Sequence, residues 1–121
     1  MANKILAVLE DLLFTVKINE SAKRAGVPVD FVKSEVDVLD KAKAKPALIL
    51  IDLNYQGIDP VKLIQKLKGD EETRRISLLG FLSHIQVDLK HQAQEAGCNT
   101  VLARSAFSQN LLQILKRHAG A

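Results

Sequence analysis

The side chains best suited to chemistry stand directly after short apolar runs. Glu10 and Asp11 follow Ile5–Leu9, Asp52 follows Ala47–Ile51, Ser83-His84 follows Ile76–Leu82, and Arg104-Ser105 follows Thr100–Ala103. Three carboxylates brought to one edge can hold a hard divalent cation through oxygen ligands. A hydroxyl and a fixed cation beside them can contact an anionic group. An aspartate after a strand is also a common helix cap, so each residue alone says little. Their joint placement is more informative, and a small α/β enzyme that uses the carboxylate cluster with a divalent metal is one reading it leaves open.

The elements that position these residues are legible from periodicity. The runs named above, with Val29–Val32, make five strand candidates, and the stretches between them have helical spacing. Strands that alternate with helices imply a parallel sheet, because a parallel neighbour requires a crossover. Runs 47–51 and 76–82 are apolar on consecutive positions, as expected for strands covered on both faces. Asp59-Pro60 reads as an N-cap followed by proline in the first helical position, and Val61, Ile64 and Leu67 then share one face. Gly69 reads as the stop of that helix, Gly26 and Gly97 as the ends of two others, and Ser105 or Ser108 as the cap of the last. The edge beyond the carboxyl ends of the strands is where open parallel sheets bind ligands.

Composition narrows the class. The 121 residues suit one domain spanning 1–121, and 47% apolar with 26% charged residues is ordinary for a globular protein. A net charge of +3 spread along the chain lacks the dense basic patch of a nucleic-acid binder. Cys98 is the single cysteine, which excludes an intramolecular disulfide. The longest apolar run, Ala47 to Ile51, is far short of a membrane span, and the N-terminus lacks a signal-peptide layout, so the expected location is cytoplasmic. Lys41-Ala-Lys-Ala-Lys45 reads as the solvated end of a helix. His84, His91 and His118 have no zinc-ligand spacing, and Cys98 reads as a buried filler. Tyr55 reads equally as a site gate or a packed loop residue, and Phe107 as an anchor of the last helix. No glycine-rich phosphate loop follows the first run, which counts against a nucleotide-binding domain.

Taken in order, Ile5-Leu-Ala-Val-Leu-Glu-Asp11, Leu48-Ile-Leu-Ile-Asp-Leu-Asn54, Gly57-Ile-Asp59 and Ala96-Gly-Cys98 make the chain resemble the receiver domains of bacterial response regulators. The resemblance covers nearly the whole chain. It implies a flavodoxin-like, doubly wound (βα)5 fold with five parallel strands in the order 2-1-3-4-5. It also implies that Asp52 is a phospho-acceptor, that Mg²⁺ is held by Glu10, Asp52 and the Asn54 carbonyl, with Asp11 able to compensate if the turn is redrawn, and that Arg104 contacts phosphate. Its implied partners are a histidine kinase or a downstream effector. They would meet the face made by the fourth helix, fifth strand and fifth helix, near Ile85 to Lys90 and Val101 to Leu112. A homodimer through that face stays open, and no direct nucleic-acid or membrane contact is expected.

Several positions depart from the family pattern. Leu9 and Glu10 fall on the two acidic positions, and Leu82 falls on the hydroxyl position. Ser83, beside Leu82, reaches the site only if the strand end twists or bulges. Arg104 replaces the lysine, Ser105 the following proline, Val101 the aromatic switch residue and Gln56 the proline after the acceptor. The pattern therefore reads as an atypical, stand-alone receiver that signals through protein contacts and is not an enzyme. The alternatives are a working Mg²⁺-dependent phospho-receiver in a phosphorelay and, from another class, the small metal-dependent enzyme.

Overall fold

The computed structural model describes residues 4–83 and 86–119. Strand and helix alternate five times: β1 (Ile5–Val8), α1 (Leu12–Ala25), β2 (Val29–Val32), α2 (Glu35–Ala42), β3 (Leu48–Asp52), α3 (Pro60–Gly69), β4 (Ser77–Leu82), α4 (Val87–Ala96), β5 (Thr100–Ala103) and α5 (Arg104–Ala119). All strand pairs are parallel, and the sheet order is β2-β1-β3-β4-β5, the flavodoxin-like receiver arrangement.

Side-chain alternation along the strands divides the core into two layers. Ile5, Ala7, Leu48, Leu50, Leu79 and Phe81 face α1 and α5, where Phe14, Ile18, Phe107 and Leu111 meet them. Leu6, Val8, Ile49, Ile51, Leu78, Leu82 and Val101 face the other way, against Val38 of α2, Leu63 and Ile64 of α3 and Ala93 of α4. Every residue of β1 and β3 is buried, which explains why all but the terminal Asp52 are apolar.

Helix ends follow local chemistry. Asp11, Ser34 and Asp59 cap α1, α2 and α3 by accepting from the amides of Phe14, Asp37 and Lys62. Gly26 (φ 70°) and Gly97 (φ 112°) end α1 and α4 in the left-handed region, where a side chain is strained. Three sequence expectations need correction. Gly69 is the last residue of α3, and Asp70 follows it as the C-cap. Ser105 and Ser108 lie inside α5 and do not cap it, because β5 passes straight into the helix at Arg104. Leu9 lies beyond β1, and Asp52 is the final residue of β3 rather than the residue after it. Lys41, Lys43 and Lys45 are exposed around the end of α2, as expected.

Candidate functional site at the carboxyl end of the sheet

Asp52 ends the central strand, level with Phe81 of β4, and is itself 3% exposed. By strand parity it shares the face of Leu48 and Leu50, toward α1 and α5. The backbone N–H of Asn54 donates to its Oδ1 at 2.9 Å. Arg104, the first residue of α5, donates through one terminal nitrogen to both Asp52 oxygens, at 3.1 and 3.0 Å. Its other terminal nitrogen donates to Oδ2 of Asp11 at 3.1 Å, while Asp11 Oδ1 accepts the Phe14 amide at 3.2 Å. One planar fork therefore spans two carboxylates, which a lysine ammonium could not do with the same geometry. The guanidinium lies 5.0 Å from the Phe14 ring centre and 5.8 Å from that of Phe81. These rings stack with Phe107, the Phe81–Phe107 pair at 4.3 Å and 2°. The stack gives the cation an aromatic bed.

Burial pushes the Asp52 carboxyl above the ordinary aspartate value, and the Asp11 charge adds to the rise, although the Asn54 amide and Arg104 both favour the charged form. Asp11, closer to solvent, moves the other way. The Phe14 amide, followed by Arg104, holds it below the ordinary value. A cation at a helix N-terminus opposes the helix dipole, so Arg104 stands where it does because two carboxylates face it.

The remaining sequence candidates are placed as follows. Glu10 is exposed in the turn before α1. Ser83 is exposed, and its backbone N–H, not its hydroxyl, meets a site residue by donating to Asn54 Oδ1 at 2.7 Å. Leu82, on the family's hydroxyl position, and Val101, on its aromatic position, are both buried in the layer facing α2, α3 and α4. Tyr55 donates its hydroxyl to the Lys33 carbonyl at 2.9 Å, which is the packed reading. Cys98 is buried with its thiol directed at the Thr100 and Leu78 carbonyls. Phe107 is fully buried, as expected of an anchor. His91 is exposed, and His118 contacts the Ile114 carbonyl. His84 and Ile85, the latter the start of the expected partner face, lie outside the described residues.

Two features escaped sequence reasoning. The Asn54 side chain bridges the loops after β3 and β4, accepting from Ser83 N–H and donating to Gln86 Oε1 at 2.6 Å. The resemblance points only to its backbone carbonyl, and nothing in the local pattern signals the bridge. The aromatic bed was partly readable, because Phe81 falls on the same strand parity as Asp52 across the sheet.

A divalent ion here needs oxygen ligands free to turn toward it. Asp52 and Asp11 are turned to Arg104, and Leu9 is apolar and buried. Among the described residues no three His, Cys, Asp or Glu side chains form a metal-holding group. The residues as arranged do not fit a resident divalent ion.

A buried aspartate closing the central strand of a 2-1-3-4-5 parallel sheet, with a cation from the end of β5 upon it, is the fold and site layout of response-regulator receiver domains of the two-component type. The chain is similar in sequence to sporulation initiation phosphotransferase F of Bacillus subtilis, at 22% identity over 98% of this chain and 94% of that protein. It is similar also to the polar-differentiation response regulator DivK of Brucella ovis, at 21% identity over 97% of each. Among solved structures, it matches the receiver domain of a sensor histidine kinase of Pseudomonas aeruginosa PAO1, which has a magnesium ion coordinated in its active-site cleft. The TM-score is 0.81 and the identity 22%, with all of both chains covered. No family model matches the chain. No described helix is long and apolar enough to cross a membrane.

Proposed function

We propose that residues 1–121 act as one receiver-like signal-transduction module that works through protein–protein contacts, with Asp52 in the phospho-acceptor position and the switch incomplete. The observation that carries this reading is the burial of Leu82 and Val101 in one apolar layer. A switch of the receiver kind needs a hydroxyl to grip a phosphoryl oxygen and a ring whose position reports that grip. Two packed aliphatic side chains supply neither a donor nor a rotating ring. Ser83 does not replace the hydroxyl, since it sits past the strand end in solvent.

The contact surface in this reading is the face of α4, β5 and α5, toward a histidine kinase or an effector. Val87 is 55% exposed there, beside a groove of about 220 Å³ lined by Leu82, Gln86, Lys90 and Val101. Such a module is a binding partner and not an enzyme, and its place is the cytoplasm.

The test is to add Mg²⁺ and beryllofluoride and follow amide chemical shifts. Shifts confined to the neighbours of Asp52, or no response, are expected. Shifts that run through both α4 and α5 would show a working phospho-receiver and overturn the reading. Phosphoester turnover that depends on metal and disappears in Asp52→Asn would instead establish the enzyme.

A further inference from the structure

We infer that Arg104 is the built-in counter-ion of this site, standing in for a divalent metal and keeping the wild-type site closed to one. The inference rests on the receiver reading of the site but concerns its cation alone.

Three observations carry it. First, Asp52 is nearly saturated. An ionised carboxylate offers roughly four acceptor positions, and three are taken, one by the Asn54 amide and two by Arg104. The second carboxylate, Asp11, gives one oxygen to the cap of α1 and the other to the same guanidinium. Second, the guanidinium is fixed in place. It lies against Phe14 and Phe81, and its Nε is buried with no hydrogen-bond partner among the described residues. An orphaned N–H is tolerated only where stronger contacts set the fork's orientation, and here those are its three bonds to carboxylate oxygens. Third, the charges leave no room for a second cation. Asp11 and Asp52 supply two negative charges and Arg104 one positive. A dication between the same oxygens would lie against the guanidinium, and two cations in contact repel. Leu9 supplies no oxygen to offset this, and Glu10, exposed in the turn, does not join Asp11 and Asp52 in a metal-holding group among the described residues.

Removing Arg104 should therefore create a metal site. In Arg104→Met the side chain keeps much of its length over the aromatic rings while both carboxylates lose their cation. The probes are Mg²⁺ for thermal stability and Mn²⁺ for paramagnetic broadening of amide signals, with no activity readout. In the wild type, about 10 mM Mg²⁺ should leave Tm unchanged within about 1 °C, whereas Arg104→Met should gain about 4 °C, as expected for a ligand present a few-fold above its dissociation constant. The double variant Asp52→Asn/Arg104→Met should lose that gain.

Submillimolar Mn²⁺ should broaden the Leu53 and Asn54 amides in Arg104→Met only. Broadening of those amides in the wild type overturns the inference by itself, even if the variant fails to fold. A folded Arg104→Met that stays indifferent to both metals also overturns it. Neither result bears on the α4 response to beryllofluoride, so this inference and the proposed function fail separately.

Discussion

Asp11 shows how one residue can be legible by type and unreadable by role. Its position after the first apolar run marked it as a carboxylate near the site, and the structure gives it two tasks. It caps α1 through the Phe14 amide and holds one prong of Arg104. Arg104 lies 93 positions away in sequence, so no local pattern could have paired them. Asp11→Ala should cost about 1 kcal/mol in urea denaturation at neutral pH, the usual worth of an N-cap, with little added for the ion pair because the side chain is 35% exposed. The pH dependence has a definite sign. Asp11 is held below its ordinary value in the folded chain, so its contribution is complete above the unfolded value and is lost as pH falls through the folded one. The stability gap between wild type and Asp11→Ala should therefore close in acid. A gap that widens there would contradict the cap assignment. Asn54 offers a second test, since its side chain accepts the Ser83 amide. Asn54→Ala should speed hydrogen exchange at Ser83 roughly fivefold, the equivalent of one net hydrogen bond, while leaving the Asn54 amide on Asp52.

The elements were read more securely than their ends. Strand parity and helical spacing depend on which side chains must be buried, and that demand is written into the sequence. Ends depend on single hydrogen bonds. Asp59-Pro60 and the two left-handed glycines carry their own signals, whereas the start of α5 carries none, because Arg104 is fixed by distant acids and not by a serine cap. Lys68 is a similar case at the opposite end of the sheet. On α3 it looks like an ordinary solvated lysine. Its Nζ instead donates to the Arg74 and Ile76 carbonyls and to Asn99 Oδ1, at 3.1, 2.9 and 3.0 Å. Asn99 Oδ1 also accepts the Leu78 amide, so one ammonium ties α3 to β4 and to the turn before β5. Burial lowers the Lys68 pKa, a sign that the charge is partly withdrawn from water. Lys68→Met should lose about 1 kcal/mol in chemical denaturation, since the partly buried Ile76 carbonyl loses its donor while the other acceptors can turn to water or keep the Leu78 amide. A loss indistinguishable from zero would mean that these contacts are only surface ones.

At the scale of the whole molecule, the two apolar layers separate what the sequence had placed in one site. Asp52, Arg104 and their aromatic bed belong to the α1/α5 side of the sheet, while Leu82 and Val101 pack on the α2/α3/α4 side. The order of strands made the common edge predictable. Which side of the sheet each group would serve depended on strand parity at the last residue of each strand, and single-residue ends are the least readable feature of a run. This separation gives a direction to any disturbance at Asp52. Its bonded contacts lead through Arg104 to the N-terminal turns of α1 and α5, where Phe14 and Phe107 stack with Phe81. Toward α4 the route is indirect and uncharged, running from the Asn54 amide through the Asn54 side chain to Gln86 just before the helix. Asp52→Asn removes the charge while keeping the shape, so it leaves Arg104 bound mainly to Asp11. Amide shifts should then change most over residues 11–18 and 104–108 and much less over 87–96. The Phe81–Phe107 contact should hold, because a stacked and fully buried pair does not depend on the ion above it. A response concentrated in α4 would mean that Leu82 and Val101 transmit what their packing says they cannot, and the division of the site between the two layers would have to be abandoned.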